Sequence, residues 1–219
     1  MSASFILASN SPQRADVLRE LGIPFETLTA HVDEVTLATS EETVGTNAKL
    51  KALSVLPLVS DGRVVIAADT VLDLGGQVLG KPGTSEKAHE YLRAISGRSV
   101  RAVSAVAVVR KSDDQGWIGI ESADVRIKKL SDSDIDWYVS TGEPLTRAGA
   151  IGISRFGDVL VEGIDGSYSC VAGLPKCTLL SALGRIKDFS PSLFDGVCQD
   201  QLTALNCVSI VQFAVTEAK

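Results

Sequence analysis

Blocks of apolar residues alternate with polar stretches along the chain, and their spacing predicts strands and helices in turn. The apolar run at residues 5–8 is followed by the turn-forming residues 9–12 and then by apolar side chains at helical spacing up to Leu21. This order predicts a strand, a turn and a helix. Ser11 is expected at the N-cap of the helix and Pro12 at its first position, because these residue types are favoured there.

The rest of the chain continues the same alternation. Apolar spacing predicts three more helices, over residues 41–56, 84–96 and 131–141. Apolar and β-branched runs predict three strands, the last two forming a hairpin, over residues 63–72, 100–109 and 117–127. Because the predicted strands and helices alternate without an internal sequence repeat, a mixed α/β fold is expected. The pattern weakens after Arg185, so residues 1–187 are predicted to form one domain and residues 188–219 an unassigned C-terminal tail.

The composition is that of a folded domain that binds neither nucleic acid nor membranes. Of 219 residues, 45% are hydrophobic, which suffices for a core in a chain of this length. The net charge of −6 and the pI near 5.0 disfavour nucleic acid as a partner, although placed cations or a metal can still bind a small polyanion. The absence of a spanning segment or a secretory pattern predicts a cytoplasmic protein without a membrane partner.

The cysteines and histidines disfavour a zinc site. All four cysteines fall in the last quarter of the chain, none forms a C-x-x-C pair, and there are two histidines. Reduced thiols are therefore expected, with a disulfide late in the chain left open.

The turn at residues 9–14 is the first candidate for chemistry. A strand-to-helix turn presents backbone N–H groups to an anion, and here Ser9 would add a hydroxyl and Arg14 a guanidinium. The same pattern is also typical of a capped helix with a solvated arginine.

An aspartate and a lysine are the second and third candidates. Asp69 is predicted at the end of a buried strand, where an acid needs a partner or a metal, although a turn-forming aspartate is the alternative. Lys81 lies between glycine and proline, which suits a lysine aimed at a phosphate and equally a surface turn. With Glu34, Lys51 and Arg14, these residues make up an inventory for a metal and phosphates.

A series of short motifs, in order from Leu7 to about Leu183, resembles the Maf family. The motifs are LASNSPQR, VDE, KA, AADTV, GKP, SG, TGEP, AGA-x-GI and GSY-x-x-V-x-GLP. The resemblance covers most of the chain, and it is specific because no single motif carries it.

The resemblance implies a fold and an activity. The implied fold is an elongated mixed β-sheet flanked by helices, similar to inosine triphosphate pyrophosphatases and often dimeric, so a homodimer is expected. The implied activity is house-cleaning, metal-dependent hydrolysis of non-canonical or pyrimidine nucleoside triphosphates to a monophosphate and pyrophosphate. The motifs at residues 69–71 and 166–168 resemble the branch acting on dTTP and UTP. The implied cofactor is Mg²⁺ or Mn²⁺.

The resemblance also assigns residues to roles. Asp69 is the implied proton acceptor, and Glu34 would hold the metal with it or orient the water. The implied phosphate ligands are Ser9, Arg14, Lys51 and Lys81. The two lysines also belong to the implied catalytic set, together with Asp69 and Glu34. The positions linked to base choice are Gln13, Thr70 and Ser154.

Two departures from the family pattern keep alternatives open. Gln13 replaces a commoner arginine and Ser154 a usual glutamine, so a 7-methyl-GTP pyrophosphatase is one alternative. A non-enzymatic regulator is another, because the resembled family is also linked to inhibition of septum formation. A haloacid-dehalogenase-like phosphatase would use Asp69 as a nucleophile, but that class needs D-x-D and Val71 stands at the second position.

Overall fold

One mixed sheet with flanking helices makes up the structure. The computed structural model describes residues 5–113, 115–153, 155–187 and 209–215. Within these ranges the strands of the sheet are β1 (Phe5–Leu7), β2 (Phe25–Thr27), β3 (Val64–Leu74), β4 (Gln77–Leu79), β5 (Ser99–Arg110), β6 (Gln115–Ile127), β7 (Val161–Asp165) and β8 (Ser209–Ala214). The α-helices of the same ranges are α1 (Pro12–Glu20), α2 (Ser40–Val55), α3 (Ser85–Ile95), α4 (Asp132–Ser140), α5 (Tyr168–Val171) and α6 (Lys176–Leu183).

The sheet is built around three long antiparallel strands. Its order is β2-β1-β3-β5-β6-β7, with β4 beside β3 and β8 beside β6. β1 runs parallel to both β2 and β3, whereas the other pairs are antiparallel. This arrangement confirms the predicted mixed α/β fold.

Alternation along β3 divides the core between the two faces of the sheet. Ile66 and its even-numbered neighbours pack against α1 and α6, whereas Val65 and its odd-numbered neighbours pack against α2. A third cluster under α3 and α4 closes one end of the sheet. Because side chains of a strand point alternately to opposite faces, Asp69 belongs to the face that α2 covers.

Most of the elements predicted by periodicity are confirmed. The helices expected over residues 41–56, 84–96 and 131–141 are α2, α3 and α4, and the expected hairpin is formed by β5 and β6. Ser11 lies at the N-cap of α1 and Pro12 is its first residue, but the Ser11 side chain makes no capping hydrogen bond. Its backbone N–H instead donates to Ser9 Oγ at 3.2 Å.

Asp69 does not end its strand, so that prediction was wrong. β3 continues for five residues beyond it, to Leu74, because the strand turns through Gly75 and Gly76 and pairs with β4. The turn-forming aspartate is Asp73, whose Oδ1 accepts from the Gly76 N–H at 2.7 Å. Asp69 itself is buried in the middle of the strand.

A strand outside the predicted domain joins the sheet. Residues 209–214, within the segment predicted as an unassigned tail, form β8 and pair with β6 between Gln115 and Ile120. The Phe213 ring lies over Gly116, where a Cβ would come within 2.2 Å of the ring. Glycine is therefore required at that position of β6 while Phe213 stays in place.

Two further expectations concern cysteines and membranes. Cys177 is disulfide-bonded, which contradicts the expectation of reduced thiols and agrees with the late disulfide left open. Cys170 is a free, buried thiol, and burial raises its pKa to about 12. None of the described helices is long and apolar enough to cross a bilayer.

Candidate active site

A cleft of about 510 Å³ brings together residues from distant parts of the chain. This volume falls within the range of small-molecule sites. The cleft lies between the start of α1, the middle of β3, the loop after β4 and residues 146–153. It is lined by all the site residues predicted from the sequence except Ser154, which lies outside the described residues: Ser9, Gln13, Arg14, Glu34, Lys51, Asp69, Thr70 and Lys81.

One side of the cleft, here called the Lys51 wall, consists of Glu34, Lys51, Asp69 and Lys81. Lys51 Nζ lies 2.5 Å from Asp69 Oδ1 and 2.8 Å from Glu34 Oε1. Lys81 Nζ lies 3.2 Å from the same Glu34 oxygen. The Lys51 and Asp69 side chains are 8% and 5% exposed, against 40% for Glu34 and 53% for Lys81. The wall therefore runs from a buried ion pair to a solvent-facing one.

Asn47 holds the Lys51 wall in place, and sequence reasoning missed it. It lies one turn before Lys51 on α2, and its Nδ2 donates to Asp69 Oδ2 at 3.0 Å and to the Val35 carbonyl at 3.0 Å. Its Oδ1 accepts from the Val35 N–H at 2.9 Å. Asn47 thus fixes both the carboxylate and the loop that carries Glu34. The four-residue spacing from Lys51 was the available signal.

The lysines set the charge of Glu34. Burial acts to raise the pKa of this carboxyl, but hydrogen bonds and positive charge from Lys51 and Lys81 outweigh burial and hold the pKa below its usual value. Glu34 is therefore ionised at neutral pH.

Arg14 also lines the cleft, and three hydrogen bonds hold its side chain. Its Nε donates to the Gly173 carbonyl at 2.9 Å, and its two terminal nitrogens donate to Ser9 Oγ at 3.2 Å and Thr70 Oγ1 at 3.4 Å. Burial lowers the pKa of Arg14, while the negative charges of Asp69 and Glu34 act in the opposite direction. Arg14 is half-buried and its guanidinium is hydrogen-bonded within the protein, which disfavours the alternative of a solvated arginine.

A second group of residues at the cleft, here called the Glu143 wall, consists of Gln13 and Arg147, which line the cleft, and of Glu143, which pairs with Arg147. Arg147 Nη1 donates to Gln13 Oε1, and Nη2 lies 3.1 Å from Glu143 Oε1. Glu143 is buried and also accepts from the Phe156 N–H at 3.1 Å. Sequence reasoning did not select Glu143 or Arg147, although an acid and an arginine four residues apart are a recognisable pair.

Two carboxylates of the Lys51 wall suit a divalent cation whose other coordination positions are filled by water and phosphate oxygens. The described residues contain no group of three or more His, Cys, Asp or Glu side chains that could hold a metal ion. Glu34 and Asp69 nevertheless both lie within 2.8 Å of one ammonium group. Two carboxylates suit Mg²⁺, which takes one or two of them and fills its other positions with water and phosphate oxygens.

Comparison with known proteins identifies the family. The family described as Maf-like protein matches residues 4–186. The match spans most of the chain, and the chain therefore belongs to the Maf family.

Several curated relatives carry one name. The dTTP/UTP pyrophosphatase of Dictyoglomus thermophilum is 35% identical over 188 residues, covering 85% of this chain and 97% of that protein. The proteins of the same name from Anaeromyxobacter dehalogenans and Symbiobacterium thermophilum are each 39% identical, covering 84% and 87% of this chain and 95% and 96% of theirs. Among solved structures, the Staphylococcus aureus Ham1 protein matches with a TM-score of 0.41 and 17% identity, over 56% of this chain and 71% of that chain.

Proposed function

We propose that this protein is a house-cleaning nucleoside triphosphate pyrophosphatase that favours dTTP and UTP and releases a monophosphate and pyrophosphate. The observation that carries the proposal is the Lys51 wall, where the buried Lys51–Asp69 pair at 2.5 Å adjoins Glu34 and Lys81. Carboxylates and ammonium groups at such distances suit a reaction in which a water is deprotonated beside a polyanion. The relatives named dTTP/UTP pyrophosphatase support the same reaction and the preferred bases.

Asp69 would act as the proton acceptor. A water oxygen attacks the α-phosphorus, its proton passes to an Asp69 oxygen, and the bond from the α-phosphorus to the bridging oxygen breaks with its electron pair leaving on pyrophosphate. Asn47 and Lys51 hold the carboxylate from two sides, so the accepting oxygen is oriented before the substrate arrives. Pre-organisation of this kind lowers the barrier because little reorganisation remains.

Cationic groups would neutralise the triphosphate. Arg14 and Lys81 both line the cleft, and Ser9 lies beside the N-terminus of α1, whose dipole favours an anion. The charge that develops on the leaving pyrophosphate needs such donors. Lys51, although buried, supplies a further positive charge at the point where both carboxylates meet.

Asp69 and Glu34 would hold the divalent cation, Mg²⁺ or Mn²⁺, together with phosphate oxygens. When bound, the cation would supply charge neutralisation at the phosphates and would lower the pKa of a nearby water. Lys51 would then keep the two carboxylates from repelling each other at close range.

The domain, assembly and location follow as further parts of the proposal. Residues 1–187 would form the pyrophosphatase domain and residues 188–219 a C-terminal addition. Family resemblance supports a homodimer, which sedimentation velocity would measure. A cytoplasmic location is proposed because that compartment holds the nucleotide pool on which the protein would act. The disulfide-bonded Cys177 does not support this location, because disulfides are uncommon in a reducing compartment.

Product analysis over a nucleotide panel tests the function. The purified protein is incubated with Mg²⁺ and UTP, dTTP, CTP, GTP or 7-methyl-GTP, and pyrophosphate, orthophosphate and monophosphate are quantified. Pyrophosphate from UTP and dTTP is expected. Orthophosphate alone would indicate a phosphatase, a preference for 7-methyl-GTP would move the protein to that branch, and no product from any nucleotide would leave a regulator without enzymatic activity.

A further inference from the structure

A buried serine that the proposed chemistry does not use is connected to Arg14 through hydrogen bonds. Ser104 on β5 is fully buried and stands directly opposite Thr70 of β3 in the antiparallel register. Side chains at opposed positions of neighbouring strands share one face of a sheet, and the two hydroxyl oxygens lie 2.8 Å apart. Burying a hydroxyl costs free energy unless it is hydrogen-bonded, so the partners of Ser104 indicate what it holds in place.

The hydrogen bonds of Ser104 have one possible direction. Its hydroxyl donates to the Cys170 carbonyl at 2.7 Å, because a carbonyl oxygen can only accept. A serine hydroxyl has a single hydrogen, so the Ser104 oxygen is the acceptor towards Thr70. The Thr70 hydroxyl therefore gives its hydrogen to Ser104, and its oxygen accepts from Arg14 Nη2 at 3.4 Å. Donors follow acceptors without a break from Arg14 to the Cys170 carbonyl.

Ser104 also supports a second acceptor of Arg14. The Cys170 carbonyl accepts another hydrogen bond, from the Gly173 N–H at 3.0 Å, and the Gly173 carbonyl in turn accepts from Arg14 Nε at 2.9 Å. Gly173 has a φ of +96°, and a Cβ there would lie 3.2 Å from Thr70 Oγ1. Both acceptors of Arg14 are therefore packed against each other, and Ser104 is bonded to the segment that carries each of them.

The acceptors decide how the Arg14 guanidinium is turned. A guanidinium has five N–H groups in one plane. Within the described part of the chain, the bonds to Gly173, Ser9 and Thr70 engage three of them, which leaves one N–H on each terminal nitrogen. A pair of N–H groups in one plane matches two oxygens of a phosphate, provided that the plane is fixed.

We propose that Ser104 is a positioning residue which, through Thr70 and the Cys170 carbonyl, fixes the Arg14 guanidinium for a phosphate of the substrate. The inference rests on the proposed function, because it takes Arg14 as a phosphate ligand, and it adds a residue outside the cleft lining. Without the Ser104 oxygen, the Thr70 hydrogen loses its acceptor and can turn towards Arg14, where one donor would face another. The guanidinium would then lose one of the contacts that set its plane.

The test measures the Kd of inorganic pyrophosphate, in the presence of Mg²⁺, by isothermal titration calorimetry. Ser104→Ala should raise this Kd about five-fold, the value of one neutral hydrogen bond. In an Arg14→Met background, the same change should alter the Kd by less than about two-fold, because residues that act through one contact are not additive. Ser96→Ala removes bonds to the backbone of Leu130 outside the cleft lining, and as the matched control it should leave the Kd unchanged.

A second pair of variants separates the hydroxyl from packing. Ser104→Thr and Ser104→Val have the same shape and differ in the hydroxyl, so Ser104→Thr should bind pyrophosphate about five-fold more tightly than Ser104→Val. Circular dichroism checks that each variant is folded.

Three results would overturn the inference: equal Kd values for Ser104→Thr and Ser104→Val, the same factor for Ser104→Ala with and without Arg14, or no pyrophosphate binding by the wild type. Binding is measured without turnover, so it is distinct from a failure of the proposed function, which would be a protein that binds pyrophosphate but releases none from any nucleotide.

Discussion

The two walls of the cleft are built from different kinds of structure. The Lys51 wall has its buried pair on regular elements, with Asp69 in the middle of β3 and Lys51 on α2. In the Glu143 wall, Glu143 belongs to a 3-10 turn at residues 143–146, and its partner Phe156 lies in an irregular segment. Groups on strands and helices are positioned more rigidly than groups on loops. The comparison separates a reaction centre carried by regular elements from a wall whose geometry depends on a buried ion pair between irregular segments.

The difference also separates what each wall recognises. The Lys51 wall and Arg14 carry the charges that suit phosphates, which every nucleoside triphosphate has. The Glu143 wall has its two charges paired with each other, so it offers no net charge to a phosphate. Substitutions in the first wall are expected to change the rate for all substrates, and a substitution of Gln13, which the family resemblance links to base choice, to change the ratio between them.

The largest effect is expected from removing the divalent cation. Without it, the triphosphate and the carboxylates of the Lys51 wall would repel one another. Pyrophosphate release after dialysis against EDTA should fall to background and return on adding Mg²⁺ or Mn²⁺. Undiminished turnover after thorough chelation would contradict the metal-assisted mechanism.

Asp69→Asn should come next. The change keeps the shape of the side chain but removes its charge and its basic oxygen, so kcat should fall by about 10²-fold or more. Asp73→Asn, the same change four residues further along β3 and outside the cleft lining, is the control and should keep most of the activity. A folded Asp69→Asn protein, judged by circular dichroism, with near-normal turnover would show that Asp69 is not the proton acceptor.

Lys81→Ala should lower kcat/KM by about ten-fold or more, the value of a charge-assisted hydrogen bond. Because Lys81 is proposed to serve phosphates, the loss should be similar for UTP, dTTP and CTP, and Arg14→Ala should behave alike. Lys87→Ala, an exposed lysine on α3 paired with Glu90, controls for charge. If Lys81→Ala lost one base selectively, that lysine would belong with the base-reading residues.

A smaller effect is expected at Ser154, which lies outside the described residues. Glutamine there would restore the usual family residue and add one neutral hydrogen-bonding group, worth about five-fold in relative rate. Ser154→Gln should therefore sharpen the preference for UTP and dTTP over CTP and GTP, whereas the exposed Ser133→Gln on α4 should not. Unchanged ratios would remove Ser154 from the base-choice positions.

The smallest effect is expected outside both walls, at His89. Hydrogen bonds to the Ser85 carbonyl and to Asp136 raise its pKa. A raised pKa stabilises the fold fully below the unfolded value of about 6.5, and this contribution is lost as the pH rises through the folded pKa. His89→Gln should therefore lower the free energy of unfolding, measured by denaturant titration, by at most about 1 kcal/mol at about pH 5.5 and hardly at all at about pH 9. Turnover of UTP should not change.

The parts of the fold that were predictable are those with a local pattern. α2 and α3 have apolar residues at helical spacing, and β5 and β6 are long enough for their composition to be clear. β2 and β8 were not predicted, because strands of three and six residues depend on the partner strands that provide their hydrogen bonds. The end of the strand carrying Asp69 was misplaced for a related reason, since its continuation depends on pairing with β4.

The candidate site was predictable in its residues and not in its contacts. Motifs selected Glu34, Lys51 and Asp69, and the structure brings them within 2.8 Å of one another through Lys51. Arg147 was missed because its partner Gln13 lies 134 residues earlier in the chain. A contact at that separation leaves no periodic signal, and the local acid and arginine pair could equally have been a solvated one.

β8 has a consequence for how the protein behaves at high concentration. It pairs with β6 at Gln115–Ile120, beyond the stretch Asp124–Ile127 that pairs with β7, and it lies outside the residues 4–186 that the family shares. A protein ending at residue 187 would keep every residue of the cleft but would uncover the backbone N–H and C=O groups of that stretch of β6. Open edges of this kind recruit other strands. The shortened protein should therefore turn over UTP normally when dilute and precipitate when concentrated. In the full chain, β8 covers this part of β6 and so prevents edge-to-edge aggregation.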